Sequence, residues 1–213
     1  MPGGSKKAYN KVKKILEAVS AKVNGEPCVA YMGKGSAGNY VKMVHNGIEY
    51  AMMQLLAEAY DILKNIGGLK NKEIHAAFDQ YNQGRLQSFL VEISAAIFAQ
   101  KDEVGRGLLI DKILDKAKQK GTGKWTSQNA MDFGIPVPTI DAAVTMRGIS
   151  SLKAERVAAS KKLRVRGSKG DVDKAALIEE VEAALFFAFI TAYAQGLALL
   201  TDASKENKYG LDM

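Results

Sequence analysis

Residues 37 to 65 contain no proline, and apolar side chains recur through them at helical spacing until Gly67-Gly68 stops the run. A helix of that length spans roughly 40 Å at about 1.5 Å per residue. Val44, Ile48, Leu55, Ala59 and Ile62 fall on one side and mark a core face. Lys42, His45, Asn46 and Glu49 share an arc of roughly 100° on another. An exposed, solvated face is the plain reading of such a stripe. Two features favour a site instead. Met43, Met52, Met53 and Leu56 flank the stripe, and Gly47 stands mid-helix at a cost of roughly 1 kcal/mol relative to alanine, which points to close approach by backbone or ligand.

The rest of the chain also reads mostly as helix. Ser5 is placed to cap a helix reaching Val19 or Val23, with Val12, Ile15, Leu16 and Val19 on one face. Residues 27–32 read as a short strand ended by Gly33 and Gly35. Nothing else reads clearly as strand, and a lone strand leaves its backbone groups unpaired, so its partners are expected outside the chain. Further helices are expected over residues 71–82, 85–99 and 108–118, through Met131, and over residues 139–163 and 172–203. Residues 205–213 read as a polar end without stop signals. The expected fold is mainly α: a helical bundle over residues 36–213, preceded over residues 1–35 by the helix-strand remnant of a Rossmann-type domain.

Charge and composition bound the partners. The net charge of +7 allows an acidic ligand. The densest basic run, residues 161–169, carries no interleaved aromatics, which argues against single-strand nucleic acid and leaves a solvated loop or a small anion. The single cysteine, Cys28, excludes an internal disulfide and favours a reducing compartment. The first residues lack the apolar run of a secretory signal, and a cytoplasmic setting is expected. Residues 183–200 hold no charge and sit near the lower length limit for a membrane span. Thr191, Tyr193, Gln195 and Gly196 within them favour a helix buried in protein.

The stripe suits proton transfer. A lysine can act as general base and a glutamate as general acid when their surroundings tune them. Lys42 and Glu49 start about 10.5 Å apart along the axis, so their long side chains can converge on different carbons of one small substrate. That arrangement suits a molecule that loses a proton at one position and gains one at another.

The run Lys42-Met43-Val44-His45-Asn46-Gly47-Ile48-Glu49-Tyr50 resembles the catalytic-helix motif of 6-phosphogluconate dehydrogenases. A lysine and asparagine at this spacing are shared with the wider 3-hydroxyacid dehydrogenase superfamily, while His45 and Glu49 point to the phosphogluconate branch. Gln119-Lys120-Gly121-Thr122-Gly123-Lys124-Trp125-Thr126 is similar to the family's signature loop and lacks P-loop spacing. Lys118 departs from it, standing where the family usually has a small residue. Pro136-Val137-Pro138 followed by Ala143-Val144-Thr145-Met146-Arg147 is a third likeness. Taken alone, Arg147 on its half-apolar face could equally pair with a buried acid.

The resemblance runs through nearly the whole chain, and it implies NADP-dependent oxidative decarboxylation of 6-phosphogluconate to ribulose 5-phosphate and CO2, a step of the pentose phosphate pathway. Lys42 would be the general base on the C3 hydroxyl, and Glu49 the general acid at C1 of the enediol. His45, Asn46, Tyr50, Lys120, Thr122 and Arg147 would bind substrate, with Asn46 also near the nicotinamide. No metal is implied. The implied partners are a phosphosugar acid and a second copy in a homodimer, with no nucleic acid or membrane. The resemblance further implies a central portion of the enzyme, with most of the NADP-binding domain before Met1 and a second helical half after Met213. Such a chain would be inactive by itself. Two other classes stay open: another hydroxyacid dehydrogenase, which would not need Glu49, Lys120 and Arg147 together, and a non-catalytic helical binding module.

Overall fold

The computed structural model describes residues 1–163 and 172–213 and is mainly helical. Helix α1 (Lys6–Val19) starts where the Ser5 side chain accepts a hydrogen bond from the Ala8 amide, as its sequence leads one to expect. Strands β1 (Lys22–Val23) and β2 (Glu26–Pro27) then form a two-residue antiparallel hairpin. Its turn is Asn24-Gly25, both at positive φ, the pairing that favours a tight hairpin. The strand expected over residues 27–32 is therefore corrected to Pro27 alone. The Cys28 amide still donates across the hairpin to the Ala21 carbonyl at 2.8 Å, and among the described residues no strand pairs with residues 29–32: the Met32 amide donates to the Pro2 carbonyl at 2.8 Å, and the Gly4 amide donates to the Gly33 carbonyl at 2.9 Å.

Helix α2 (Ala37–Asp61) runs into a π-helical turn, Ile62–Ile66, closed by the Gly67 amide on the Ile62 carbonyl. Helices α3 (Asn71–Gln83) and α4 (Phe89–Ala99) follow. The second begins at Phe89 instead of Arg85, because the Ser88 hydroxyl accepts from the Val91 amide and fixes the start there. The helix expected over residues 108–118 is only a single 3-10 turn, Leu109–Lys112. Leu109, Ile113 and Leu114 are exposed, so no buried face supports a longer helix.

Helix α5 (Thr122–Phe133) ends on Gly134 in the left-handed conformation. The single helix expected over residues 139–163 is divided into α6 (Pro138–Ser151) and α7 (Lys153–Lys162), with Leu152 non-helical between them. At this break the Arg156 guanidinium donates to the Ser150 carbonyl and to Asp115, giving a last-turn carbonyl of α6 a side-chain partner. Within the basic run, Lys161 and Lys162 close α7, whereas Arg164 to Lys169 lie outside the described residues. Helix α8 (Lys174–Glu206) is last.

The chain forms two compact units, and α2, α6 and α8 pass from one into the other. The first comprises Met1–Glu49, Lys120–Val144 and Ala192–Met213. Its core holds Val44, Ile48, Val137, Ile140 and Leu199. Gln195 bridges elements there, accepting from the Thr139 amide at 3.0 Å and donating to the Thr139 hydroxyl at 2.8 Å. The expected lack of a stop after α8 is also corrected. Tyr209 is buried, its carbonyl accepts from the Lys34 amide, and its hydroxyl lies 3.1 Å from that of Ser36. The turn is made possible by positive φ at Lys208 and Gly210.

The second unit comprises Tyr50–Gln119 and Thr145–Thr191. Phe98 stacks on Tyr60 and meets Phe78 edge-on, both with centroids 4.9 Å apart. The Tyr81 hydroxyl donates to the Ile178 carbonyl at 2.6 Å. By length and composition α8 could cross a membrane, and 33% of its most apolar stretch is buried. Val181, Leu185 and Phe189 are covered while Phe187 and Ile190 are exposed. The helix thus has one covered face, not the all-round burial that its sequence suggests.

Candidate active site

The polar stripe of α2 lies in the first unit as far as Glu49. Residues 33–38, Gly-Lys-Gly-Ser-Ala-Gly, lead into the helix with the spacing of a dinucleotide-binding turn, a match that the sequence reading did not weigh. Two of its three glycines serve the chain's own packing, while Gly35, at φ 55°, has open space beside it. A Cβ on Gly33 would lie 2.5 Å from the Tyr209 carbonyl oxygen, and one on Gly38 would strike the Met1 carbonyl. The space beside Gly33 and Gly38 is filled by backbone.

Along the stripe the side chains touch in series. His45 Nδ1 lies 3.3 Å from Lys42 Nζ, 3.3 Å from Asn46 Oδ1 and 4.0 Å from Glu49 Oε2. The first contact needs a bare Nδ1 to accept from the ammonium, and the second needs Nδ1 to carry the proton. His45 can therefore serve one neighbour at a time. Asn46 Nδ2 donates to Thr122 Oγ1 at 3.1 Å, which orients the amide and points its oxygen at His45.

Helix α5 brings the signature loop to this face. Gly121, at φ 108°, makes the turn into its first residue, Thr122. Lys120 precedes that turn and is exposed. Three pairs tie α5 to α2: Thr122 with Asn46, the Thr126 hydroxyl with the Met43 carbonyl at 2.9 Å, and Asn129 with the Tyr40 hydroxyl. Burial first, and then the nearby Tyr209, push the Tyr40 phenol up to about 12, so it stays a neutral donor at ordinary pH. Beside these helices lies an open cleft of about 370 Å³, lined by Asn39, Tyr40, Lys42, Met43, Thr122 and Trp125.

The remaining two expected residues, Tyr50 and Arg147, lie in the second unit. The Arg147 guanidinium sits 4.3 Å above the Tyr50 ring, a cation–π geometry. It also donates to the Lys118 carbonyl at 3.2 Å. Lys118 supplies only main chain to this contact, so its unusual side chain does not disturb it. Among the described residues Arg147 has no carboxylate partner, which removes the reading of a buried ion pair. Tyr40 and Asn129, and Trp125 and Thr126 within the signature loop, carry no site role in the sequence analysis. Gly47 was a further signal for Thr126, since it marks where that side chain packs.

Residues 38–213 match the family model described as 6-phosphogluconate dehydrogenase, C-terminal domain. The chain belongs to the 6-phosphogluconate dehydrogenase family. It is 53% identical over 213 residues to the decarboxylating 6-phosphogluconate dehydrogenase of Lactococcus lactis subsp. cremoris, covering 99% of this chain and 45% of that protein. It is 54% identical over 212 residues to the NADP(+)-dependent, decarboxylating 6-phosphogluconate dehydrogenase of Bacillus subtilis, with the same coverage. Among solved structures, Plasmodium falciparum 6-phosphogluconate dehydrogenase superposes with a TM-score of 0.91 at 46% identity, covering 99% of this chain and 46% of that one. The Plasmodium enzyme has been solved in its apo form, with its cofactor NADP+ and with its substrate 6-phosphogluconate. The chain thus spans about 45% of the length of the curated relatives it matches. The 6-phosphogluconate dehydrogenase helical fold and the family suggested by the Lys42–Tyr50 motif are the ones found.

Proposed function

We propose that the protein carrying this chain oxidatively decarboxylates 6-phosphogluconate to ribulose 5-phosphate and CO2, and that residues 36–213 are its helical substrate domain. The observation that carries the proposal is the cluster of Lys42, Asn46 and Glu49 around His45 Nδ1, with Asn46 bonded onward to Thr122, set on the helix that carries the family motif.

Lys42, in its neutral form, takes the C3 hydroxyl proton as hydride leaves C3. The resulting 3-keto acid loses its carboxylate as CO2 while Lys42 returns the proton to the former C3 oxygen, and Glu49 then gives a proton to C1 of the enediol as Lys42 takes the hydroxyl proton back. His45, held between these two side chains, steadies the substrate hydroxyls together with Asn46. NADP+, the cofactor of the Plasmodium enzyme, supplies hydride acceptance when bound. In the glycine turn of suitable spacing, Gly33 and Gly38 are closed off by the chain's own backbone, and no phosphate cradle for the cofactor is assigned among the described residues. Only Asn46 is assigned to it, at the nicotinamide. Lys120 and Thr122 are assigned to the substrate phosphate. Arg147, with its planar donors held over Tyr50, suits a phosphate or carboxylate dianion. The same reading takes residues 1–35 as the end of a dinucleotide-binding domain and the enzyme as a cytoplasmic homodimer without nucleic-acid or membrane partners. Family membership is the support for these last assignments.

Calorimetric titration of the 213-residue chain tests the proposal. It should bind 6-phosphogluconate, bind gluconate far more weakly, and reduce no NADP+ by itself. Equal affinity for the two ligands, or binding of neither, would sink the assignment.

A further inference from the structure

We propose that Thr126 is a positioning residue: its hydroxyl and methyl set the register of the Lys120–Thr122 turn against the polar stripe of α2. This inference rests on the substrate assignment above. Thr126 is fully buried, and its side chain fills the notch left by Gly47. A Cβ on Gly47 would lie 2.6 Å from Thr126 Cγ2 and 2.9 Å from both Cβ and Oγ1. The hydroxyl stands 2.9 Å from two carbonyls, Met43 O on α2 and Thr122 O on α5. In α-helical geometry the Met43 carbonyl is the acceptor for the Gly47 amide. Methyl and hydroxyl therefore grip the same turn of α2, the one that carries His45 and Asn46.

Plain core packing accounts for the methyl, and the i−4 carbonyl of Thr122 is an acceptor any helical threonine has for its one proton. The Met43 carbonyl, at the same 2.9 Å, is the acceptor that sets the hydroxyl between the two helices. Positions 122, 126 and 129 ascend α5 while their partners 46, 43 and 40 descend α2, so the two helices are antiparallel and the Thr126 pair is the middle of three. Slipping one residue would shift Thr122 by about 1.5 Å and break its 3.1 Å bond to Asn46. Asn46 would then lose the contact that aims its oxygen at His45.

Two variants of the 213-residue chain separate hydroxyl from shape. Thr126→Val keeps the volume and removes the hydroxyl, and Thr126→Ser does the reverse. The first readout needs no ligand: the side-chain amide resonances of Asn46 in a nitrogen–proton correlation spectrum. They should move in Thr126→Val and stay in Thr126→Ser. The second readout is 6-phosphogluconate titration followed by the single tryptophan, Trp125, which is half exposed in the cleft beside Lys42. Thr126→Val should weaken binding about tenfold, equivalent to about 1.4 kcal/mol, and Thr126→Ser should bind as the parent does. Adding Thr122→Ala to Thr126→Val should cost little more, because Thr126 acts through that turn. Unmoved Asn46 resonances in Thr126→Val, or additive losses in the double variant, overturn the inference. A parent chain that binds no 6-phosphogluconate overturns the substrate assignment instead, and the Asn46 resonances still decide the register.

Discussion

The Nδ1 atom of His45 lies 3.3 Å from the Nζ atom of Lys42, one helical turn earlier. Because Nδ1 cannot accept from Lys42 and donate to Asn46 at once, the imidazole tautomer decides which neighbour is held. Breaking the series at either end should stop the chemistry without abolishing binding. General acid or base groups are typically worth roughly 10²–10⁴-fold. In this chain joined to the remaining segments of the Lactococcus relative, Lys42→Met and Glu49→Gln should each lower kcat by about that factor, with KM little changed. Parental kcat in both variants would reduce the stripe to a polar helix face.

Arg147 should behave differently. It is held over the Tyr50 ring and tethered to the Lys118 carbonyl, a geometry that fits a residue holding a charged group throughout a reaction. In the same joined enzyme Arg147→Ala should raise KM strongly and change kcat less. Arg147→Lys should not restore it, because an ammonium lacks the planar fork and stacks less well on a ring. Recovery of the parental KM by lysine would remove the case for a specific guanidinium role.

A stability prediction concerns Gly196, where α8 passes over Ile48. A Cβ there would lie 2.5 Å from Ile48 Cγ1 and would also strike Cδ1. Alanine gains roughly 1 kcal/mol of helix propensity over glycine, whereas forcing extra volume into a packed core typically costs about 1–3 kcal/mol. Packing should win, so Gly196→Ala should lower the urea midpoint, and adding Ile48→Val, which removes Cδ1, should recover part of the loss. A Gly196→Ala variant more stable than its parent would show that the contact relaxes freely.

Alkaline pH should act through Tyr40. Its phenol is pushed from the ordinary 10.0 up to about 12 by burial and by Tyr209. A raised folded-state value favours the protonated form, so the contribution to stability is complete below pH 10.0 and is lost as pH rises towards about 12. Melting temperature should fall across that window, and Tyr40→Phe should make the fall shallower. Burial likewise holds Tyr81 above its ordinary range, so phenolate absorbance should keep a late component in the Tyr40→Phe chain. An unchanged melting profile in that variant would exclude Tyr40 as a source of the alkaline loss.

The local physics of the sequence determined the helices and the stripe. The period of apolar residues gave α2 its core face, Ser5 and Gly67 bounded helices as capping and stop residues do, and Lys42, His45, Asn46 and Glu49 had to share a face once residues 37 to 65 were helical. Each of these depends on residues a few positions apart. Tertiary structure decided everything that needs atoms from remote segments. Thr126 meets Met43 across 83 residues of chain, and no periodicity encodes that meeting. The same holds for Gly33, whose open side is taken by the Tyr209 carbonyl, although its spacing alone suits a bound phosphate. The division of α6 from α7 depends on Arg156 reaching Ser150 and Asp115, and the 3-10 turn at Leu109–Lys112 stays short because none of its apolar side chains is buried among the described residues. Backbone preference sets where a helix can form, and packing partners set where it must end and which glycines are already occupied.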